Sequence, residues 1–335
     1  MSDSKFRTSV QIPEFRWKAS YQKSSLFMGS CFTENVGKKM ENLKFPADIN
    51  PFGILYNPVS VANGLRLLIQ PKTFAESDLI EHNGVWHSFL HHGRFSSTDA
   101  NQTLQNINKR LVNSSEFLQK TDFLFITFGT AWVYRFNKTK KIVSNCHKIP
   151  AAFFTRERLT VDEIVALYQD LLSELWQLNP EIKIIFTVSP IRHWKDGAIE
   201  NQRSKSILLL AIDSLVKKHE NYCAYFPSYE IVMDELRDYR FYAADMIHLS
   251  EVAIDHIWER FANCLIDEES RKIVVEVRKI VNAMQHRPLN TTTPEFRKFI
   301  ENTLENLNNT GMKYPYLNLK LEKEYFVRHL DDLTN

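Results

Sequence analysis

Apolar residues along this chain fall into two alternating kinds of run, short continuous ones and longer ones at helical spacing. The short runs begin near Leu26, Pro46, Phe123, Lys183 and Tyr222. Phe123-Leu124-Phe125-Ile126-Thr127-Phe128 and Ile184-Ile185-Phe186-Thr187-Val188 have the near-continuous hydrophobicity of strands buried on both faces, the mark of a parallel sheet. Between them the period changes to about 3.6. Phe32, Val36, Met40 and Leu43 form a stripe after the first strand, and helices are predicted over 58–70, 101–120 and 200–219. Thr160 and Glu163 give a capping box ahead of Ile164, Leu167, Leu171, Leu175 and Leu178, with Asn179-Pro180 as the stop. Ser250 caps a further stripe of Ile254, Ile257, Phe261 and Leu265.

Strands alternating with helices in this way predict an α/β fold, a three-layer α/β/α sandwich around a five-stranded parallel sheet. Two runs at 132–136 and 141–144, separated by Asn137-Lys138-Thr139-Lys140, read as an inserted β-hairpin. Residues 1–23 read as an arm that packs Phe15 and Trp17 against the domain. Past Asp267 the pattern is charged amphipathic helix over 268–284 and 295–307. The expected organisation is an α/β domain over 20–265 and a helical C-terminal extension over 266–335.

Composition removes some functions. With 335 residues and 44% hydrophobic composition the chain can bury a large core. Its 42 basic and 40 acidic residues leave a formal charge of +2, which gives no electrostatic reason to expect nucleic acid or an anionic membrane as partner. No run of about eighteen apolar residues reads as a membrane span. The first residues hold no apolar segment of signal-peptide length. Cys31, Cys146, Cys223 and Cys264 are far apart and lack CxxC spacing, so neither a disulfide framework nor a zinc knuckle is suggested. A cytoplasmic location is the expectation.

Candidate chemistry begins at the first strand-to-helix turn, within SLFMGSCFTENVG at 25–37. Ser30 stands there beside the unpaired amides of a helix start, where a hydroxyl can attack a carbonyl while those amides receive the developing oxyanion. A Ser in that place also serves as an ordinary cap, and Cys31 beside it is an alternative nucleophile if its thiol is acidified by the helix N-terminus. A base and its partner occur together at Asp245-Met246-Ile247-His248. His82, Trp86, His87, His91 and His92 cluster within 71–100, but without the regular spacing and acidic company of metal ligands. That segment reads as a loop insertion walling the site, with Trp86 and His91 toward substrate; neither metal nor cofactor is expected.

Gly-Ser-Cys-Phe at 29–32, Asn-Pro-Phe-Gly at 50–53, Thr-Phe-Gly-Thr-Ala at 127–131, Ser-Pro-Ile-Arg-His at 189–193 and the late Asp-x-x-His together resemble the GSCFA family over residues 20–265. The resemblance implies the wider SGNH (GDSL-like) hydrolase superfamily, with a flavodoxin-like sandwich and ester hydrolysis or acyl transfer as chemistry. Carried onto this chain, it implies Ser30 as nucleophile, His248 as base and Asp245 as its orienting partner. The oxyanion would lie between the N–H of Ser30, that of Gly53 and a side chain near Thr130 or Asn145. His193 is a further expected site residue, and Trp132 suits stacking on a sugar. Two departures stand out: Thr33 replaces the Ala that ends the name-giving motif, and the third block, usually Gly-x-Asn-Asp, is Gly129-Thr130-Ala131-Trp132. The Asn that donates to the oxyanion is missing from its usual place.

The expected function is that of a serine esterase or O-acyltransferase acting on a small acyl ester, with acetyl the leading acyl group and a carbohydrate one candidate for the alcohol. A non-catalytic carbohydrate-binding or scaffold protein that kept the fold is the alternative. The acyl group, the alcohol and the oligomeric state stay open.

Overall fold

The computed structural model describes residues 8–286, 290, 291 and 293–332. The first seven residues of the arm, the last three of the helical extension, and 287–289 and 292 within it lie outside them. In chain order the elements are β1 (Ser25–Gly29), α1 (Cys31–Asn42), β2 (Ala47–Ile49), α2 (Pro58–Ile69), β3 (Ile80–His82), β4 (Val85–His87), α3 (Ala100–Leu118) and β5 (Phe123–Phe128). There follow β6 (Trp132–Phe136), β7 (Ile142–Val143), β8 (Phe154–Arg158), α4 (Val161–Leu178), β9 (Lys183–Val188), α5 (Gly197–Lys218), β10 (Cys223–Tyr225) and the short α6 (Ser228–Glu230). Four helices close the chain: α7 (Glu251–Leu265), α8 (Glu268–Gln285), α9 (Pro294–Lys313) and α10 (Lys320–Asp332).

The five expected strands form one parallel sheet in the order β10-β9-β5-β1-β2. In that order the chain passes outward from β1 to β2 and then back over β1 to β5, so the strand order reverses between β1 and β5. The carboxyl edge at such a reversal is where ligands bind in doubly wound sheets. Successive side chains of each strand serve opposite faces. Leu26 and Met28 join a core with Leu124, Ile126, Phe128 and Phe186 beneath α2, α3, α4 and α5, while Phe27, Phe123, Phe125 and Ile185 face α1 and α7.

The C-terminal helices thicken this second layer. Ile273, Val277, Ile280, Ile300, Leu307 and Phe326 are buried in the same apolar cluster as Val36, Met40 and Trp258, and Lys44 at the end of α1 pairs with the buried Glu322 of α10. The arm follows the expectation, with Phe15 buried in that cluster and the half-buried Trp17 packed against it. Among the described residues no helix is long and apolar enough to cross a membrane.

Two insertions differ from the sequence reading. Residues 71–100 fold around a β-hairpin, β3–β4, whose Asn83 and Gly84 both have positive φ, the turn that suits the twist of a two-residue hairpin. The expected hairpin β6–β7 is present but gains a third strand, β8, on the other side of β6. β8 was hidden because Phe154 is its one buried residue in Phe154-Thr155-Arg156-Glu157-Arg158.

Gly29 fixes the end of β1. Its φ is +142°, and a Cβ built there would collide with the Thr127 carbonyl oxygen of β5. Asn50 Oδ1 accepts its N–H at 2.9 Å, and its carbonyl accepts from Leu55 N–H at 2.9 Å. Gly29→Ala is therefore expected to destabilise the fold by about 2–5 kcal/mol, backbone strain and overpacking combined; equilibrium denaturation reads this directly, and a change under 1 kcal/mol would show that β1 can move away from β5.

Candidate active site

Ser30 follows Gly29 directly and opens α1. Its side chain is 1% exposed, and its Oγ has no hydrogen-bond partner among the described residues. It does not cap the helix through its side chain, whereas Asn57, Thr160, Ser250 and Thr293 each accept a backbone N–H at the head of their own helices. A buried hydroxyl left without a partner costs free energy, and in native proteins such a group usually has a use. Burial pushes the thiol of the neighbouring Cys31 up from its ordinary value, so Cys31 is not the acidified thiolate that its helix-start position suggested.

Asp245 and His248 are paired. His248 Nδ1 lies 2.6 Å from Asp245 Oδ2, and the other carboxylate oxygen accepts the N–H groups of Ile247 and His248 at 2.9 Å each. The loop closes on itself through Ala243 N–H to the His248 carbonyl, with Met246 in the left-handed region at its tip. The hydrogen bond to His248 and the two amides hold the Asp245 carboxyl down at about 2, so it is ionised at any working pH. Both side chains stay substantially open to solvent, at 57% for His248 and 48% for Asp245.

Ser30 and His248 line one cavity of about 610 Å³ at the carboxyl edge, without being hydrogen bonded to each other. Its walls come from the loops after β1, β5 and β9, from Tyr56 and Asn57 at the head of α2, and from the β6–β7–β8 insertion. Trp132, His193, Thr130 and Asn145 all line it. His193 is half-buried, and desolvation, followed by the charge of Lys205, pushes it down to about 4; it stands neutral beside Gly129.

Three sequence expectations are corrected. Gly53 donates its N–H to the Asn50 carbonyl at 2.7 Å and, at φ +76°, packs against His92, so it serves the turn and has no amide to offer an oxyanion. Trp86 sits opposite Glu81 in the β3–β4 hairpin and packs on the core away from the cavity. His91 is buried among Phe52, Phe74 and Phe95 with Nδ1 2.9 Å from Ser88 Oγ, so it faces the core and not substrate. Thr130 lines the cavity with its polar groups already engaged, its N–H by Tyr56 and its hydroxyl by Ser204 and the Trp132 N–H. Asn145 accepts from His147 N–H through Oδ1, and its Nδ2 has no partner among the described residues.

The sequence reading missed Asn57 and Lys205. Asn57 is buried, lines the cavity and caps α2 through Oδ1, which leaves its Nδ2 without a partner among the described residues. Lys205 is fully buried on α5, where Nζ donates to the carbonyls of Gly129 at 2.7 Å and Ser189 at 2.6 Å, tying together the loops after β5 and β9. Burial lowers it to about 7. A neutral amine keeps two N–H donors, as many as the carbonyls it serves.

Below pH 7 Lys205 is protonated in both folded and unfolded chains, and the full cost of burying the charge is present. Between about 7 and the ordinary lysine value of about 10.4 the unfolded chain holds a proton that the folded chain has released, so stability rises with pH. Denaturation curves of wild type and Lys205→Met should accordingly diverge in favour of wild type as pH climbs through that window; a constant difference would mean that the ammonium keeps its proton.

The GSCFA family model matches residues 24–261, and a second, described as the C-terminal domain of GSCFA domain proteins, matches residues 277–332. No curated protein matches the chain. With these two matches running through most of its 335 residues, the chain belongs to the GSCFA family.

Proposed function

We propose that the protein is a serine esterase or O-acyltransferase of the SGNH type, with Ser30 as nucleophile and an acyl-enzyme as intermediate. The observation that carries this reading is a buried, unpartnered serine hydroxyl sharing one cavity with a preformed Asp–His pair, at the edge where the strand order reverses. As substrate enters, His248 closes on Ser30 and takes the hydroxyl proton during attack on the acyl carbonyl; the same proton then leaves with the alcohol. Asp245 keeps Nδ1 of His248 protonated, so that Nε2 is the basic nitrogen, and stabilises the imidazolium. The oxyanion is received by the amides at the head of α1 and by the free amide N–H of Asn57, which takes the place of the absent third-block Asn. Water as acceptor completes hydrolysis; a sugar hydroxyl completes transfer. A cavity of 610 Å³ accommodates an acyl group and one sugar ring, with Trp132 and Trp194 on its wall as stacking surfaces.

A fluorophosphonate reports a serine whose proton can be removed on attack, and it is expected to label Ser30. Labelling should persist in Cys31→Ser and disappear in His248→Ala. Turnover of an aryl acetate is expected to fall about 10²–10⁴-fold in Asp245→Asn, the range for lost acid–base assistance. A chain that resists the probe, and whose esterase rate is the same in Ser30→Ala, is not this enzyme.

A further inference from the structure

The charges lining the cavity do not balance. Its walls carry Arg156, Arg192, Lys195 and a single carboxylate, Asp196, apart from the imidazoles. Asp196 pairs with Arg156, whose guanidinium also lies 4.3 Å from the Trp132 ring centroid. Lys195 donates to the Tyr134 hydroxyl at 2.8 Å. Behind the wall, Lys205 has carbonyls as its hydrogen-bond partners.

Arg192 is the group whose needs are least met. One of its terminal nitrogens reaches Met233 Sδ at 3.4 Å, a weak acceptor, and its Nε is buried with no partner. No carboxylate stands within ion-pair distance of it among the described residues. Asp238, the one carboxylate that lines the adjoining groove with Arg192, is paired with Arg240. Arg192 stands where the cavity meets a second groove of about 250 Å³, lined also by Met233, Tyr239, Met246 and Ile247. Ile247, next to His248, forms part of both walls. A guanidinium can bind a carboxylate, phosphate or sulfate through two parallel N–H bonds.

We propose that Arg192 anchors an anionic group of the substrate, which makes the substrate an acyl ester bearing a negative charge close to its scissile bond. This rests on the esterase reading of the same cavity. The net charge of the whole chain is +2, so the attraction is local to this wall and not a general field.

Three esters test it: phenyl acetate, 4-carboxyphenyl acetate with the charge on the alcohol side, and phenyl hemisuccinate with the charge on the acyl side. Wild type should prefer one charged ester over phenyl acetate in kcat/KM, and which one it prefers assigns the side of the anion. In Arg192→Gln that preference should fall about tenfold or more, the worth of a charge-assisted hydrogen bond, and Arg192→Lys should restore part of it. No preference for either charged ester, or a preference unchanged in Arg192→Gln, overturns the proposal. If Arg192→Gln does not fold, competition in wild type decides: glutarate must inhibit hydrolysis more strongly than neutral glutaramide, and equal inhibition overturns it. Should the protein hydrolyse none of the esters, calorimetric titration of Ser30→Ala with glutarate separates the two ideas. Binding that vanishes in Ser30→Ala/Arg192→Gln sustains the anion anchor while the esterase reading falls; absence of binding removes the anchor as well.

Discussion

The backbone contact between Gly29 and Thr127 is the constraint on which the site depends. β1 pairs with β5 as far as its own last residue, Gly29 opposite Thr127, and only a residue without a side chain fits against that carbonyl. The chain must then leave the sheet at once, and it does so by starting α1 at Cys31. Ser30 has no room to choose its position. Asn50 and Leu55, both beyond β2, hold Gly29 from the other side through its N–H and carbonyl, so the loop after β2 is fastened to the loop after β1. The turn Asn50-Pro51-Phe52-Gly53 is thus a clamp on the backbone beside Ser30, which is why Gly53 has no free amide to donate.

A second fastening lies on the other side of the reversal point. Lys205 joins the ends of β5 and β9 by donating to one carbonyl from each, and Ser204 beside it accepts the Ala131 N–H and meets the Thr130 hydroxyl. Polar groups at the ends of parallel strands must find partners once the ladder stops. Here α5 supplies them from within its own apolar stripe. The result is a floor in which Ser30, Thr130 and Ser189 are all buried while the cavity above them remains open.

Most of the sheet was legible because buried parallel strands announce themselves as near-continuous apolar runs, and Leu26 to Met28, Phe123 to Phe128 and Ile184 to Val188 are broken only by Thr127 and Thr187. The Asp–His pair was legible because its partners are three residues apart on one loop. Other features were not. Asn83-Gly84 is a strong hairpin signal, yet the residues flanking it, Ile80-Glu81-His82 and Val85-Trp86-His87, do not alternate cleanly enough to read as strands. His91 reads as a site residue because histidines cluster around it, whereas in space Phe52, Phe74 and Phe95 surround it and burial pushes it down to about 3. Lys205 leaves a trace in sequence, since it falls three residues before Leu208 on the buried stripe of α5, but a lysine at such a position usually snorkels to solvent. Asn57 is hidden by its ordinary role, because capping α2 occupies only the oxygen of its amide.

The two halves of the proposed machinery are held in different ways. Ser30 is fixed by the sheet, at a point where neighbouring strands, a helix start and two loops all constrain it. His248 is fixed by Asp245 and by a loop that closes on itself, with both side chains largely in solvent. The loop therefore keeps imidazole and carboxylate aligned even if it moves as a body, and motion of that kind can bring His248 to Ser30 without breaking the pair. Ile247 belongs to the same loop and to both walls that meet at Arg192. An anion seated on Arg192 would lie against the loop that carries the proposed base, so the binding energy of the charged group would be available to draw His248 inward. Substrate contacts remote from the reacting carbonyl can in this way contribute to kcat as well as to affinity.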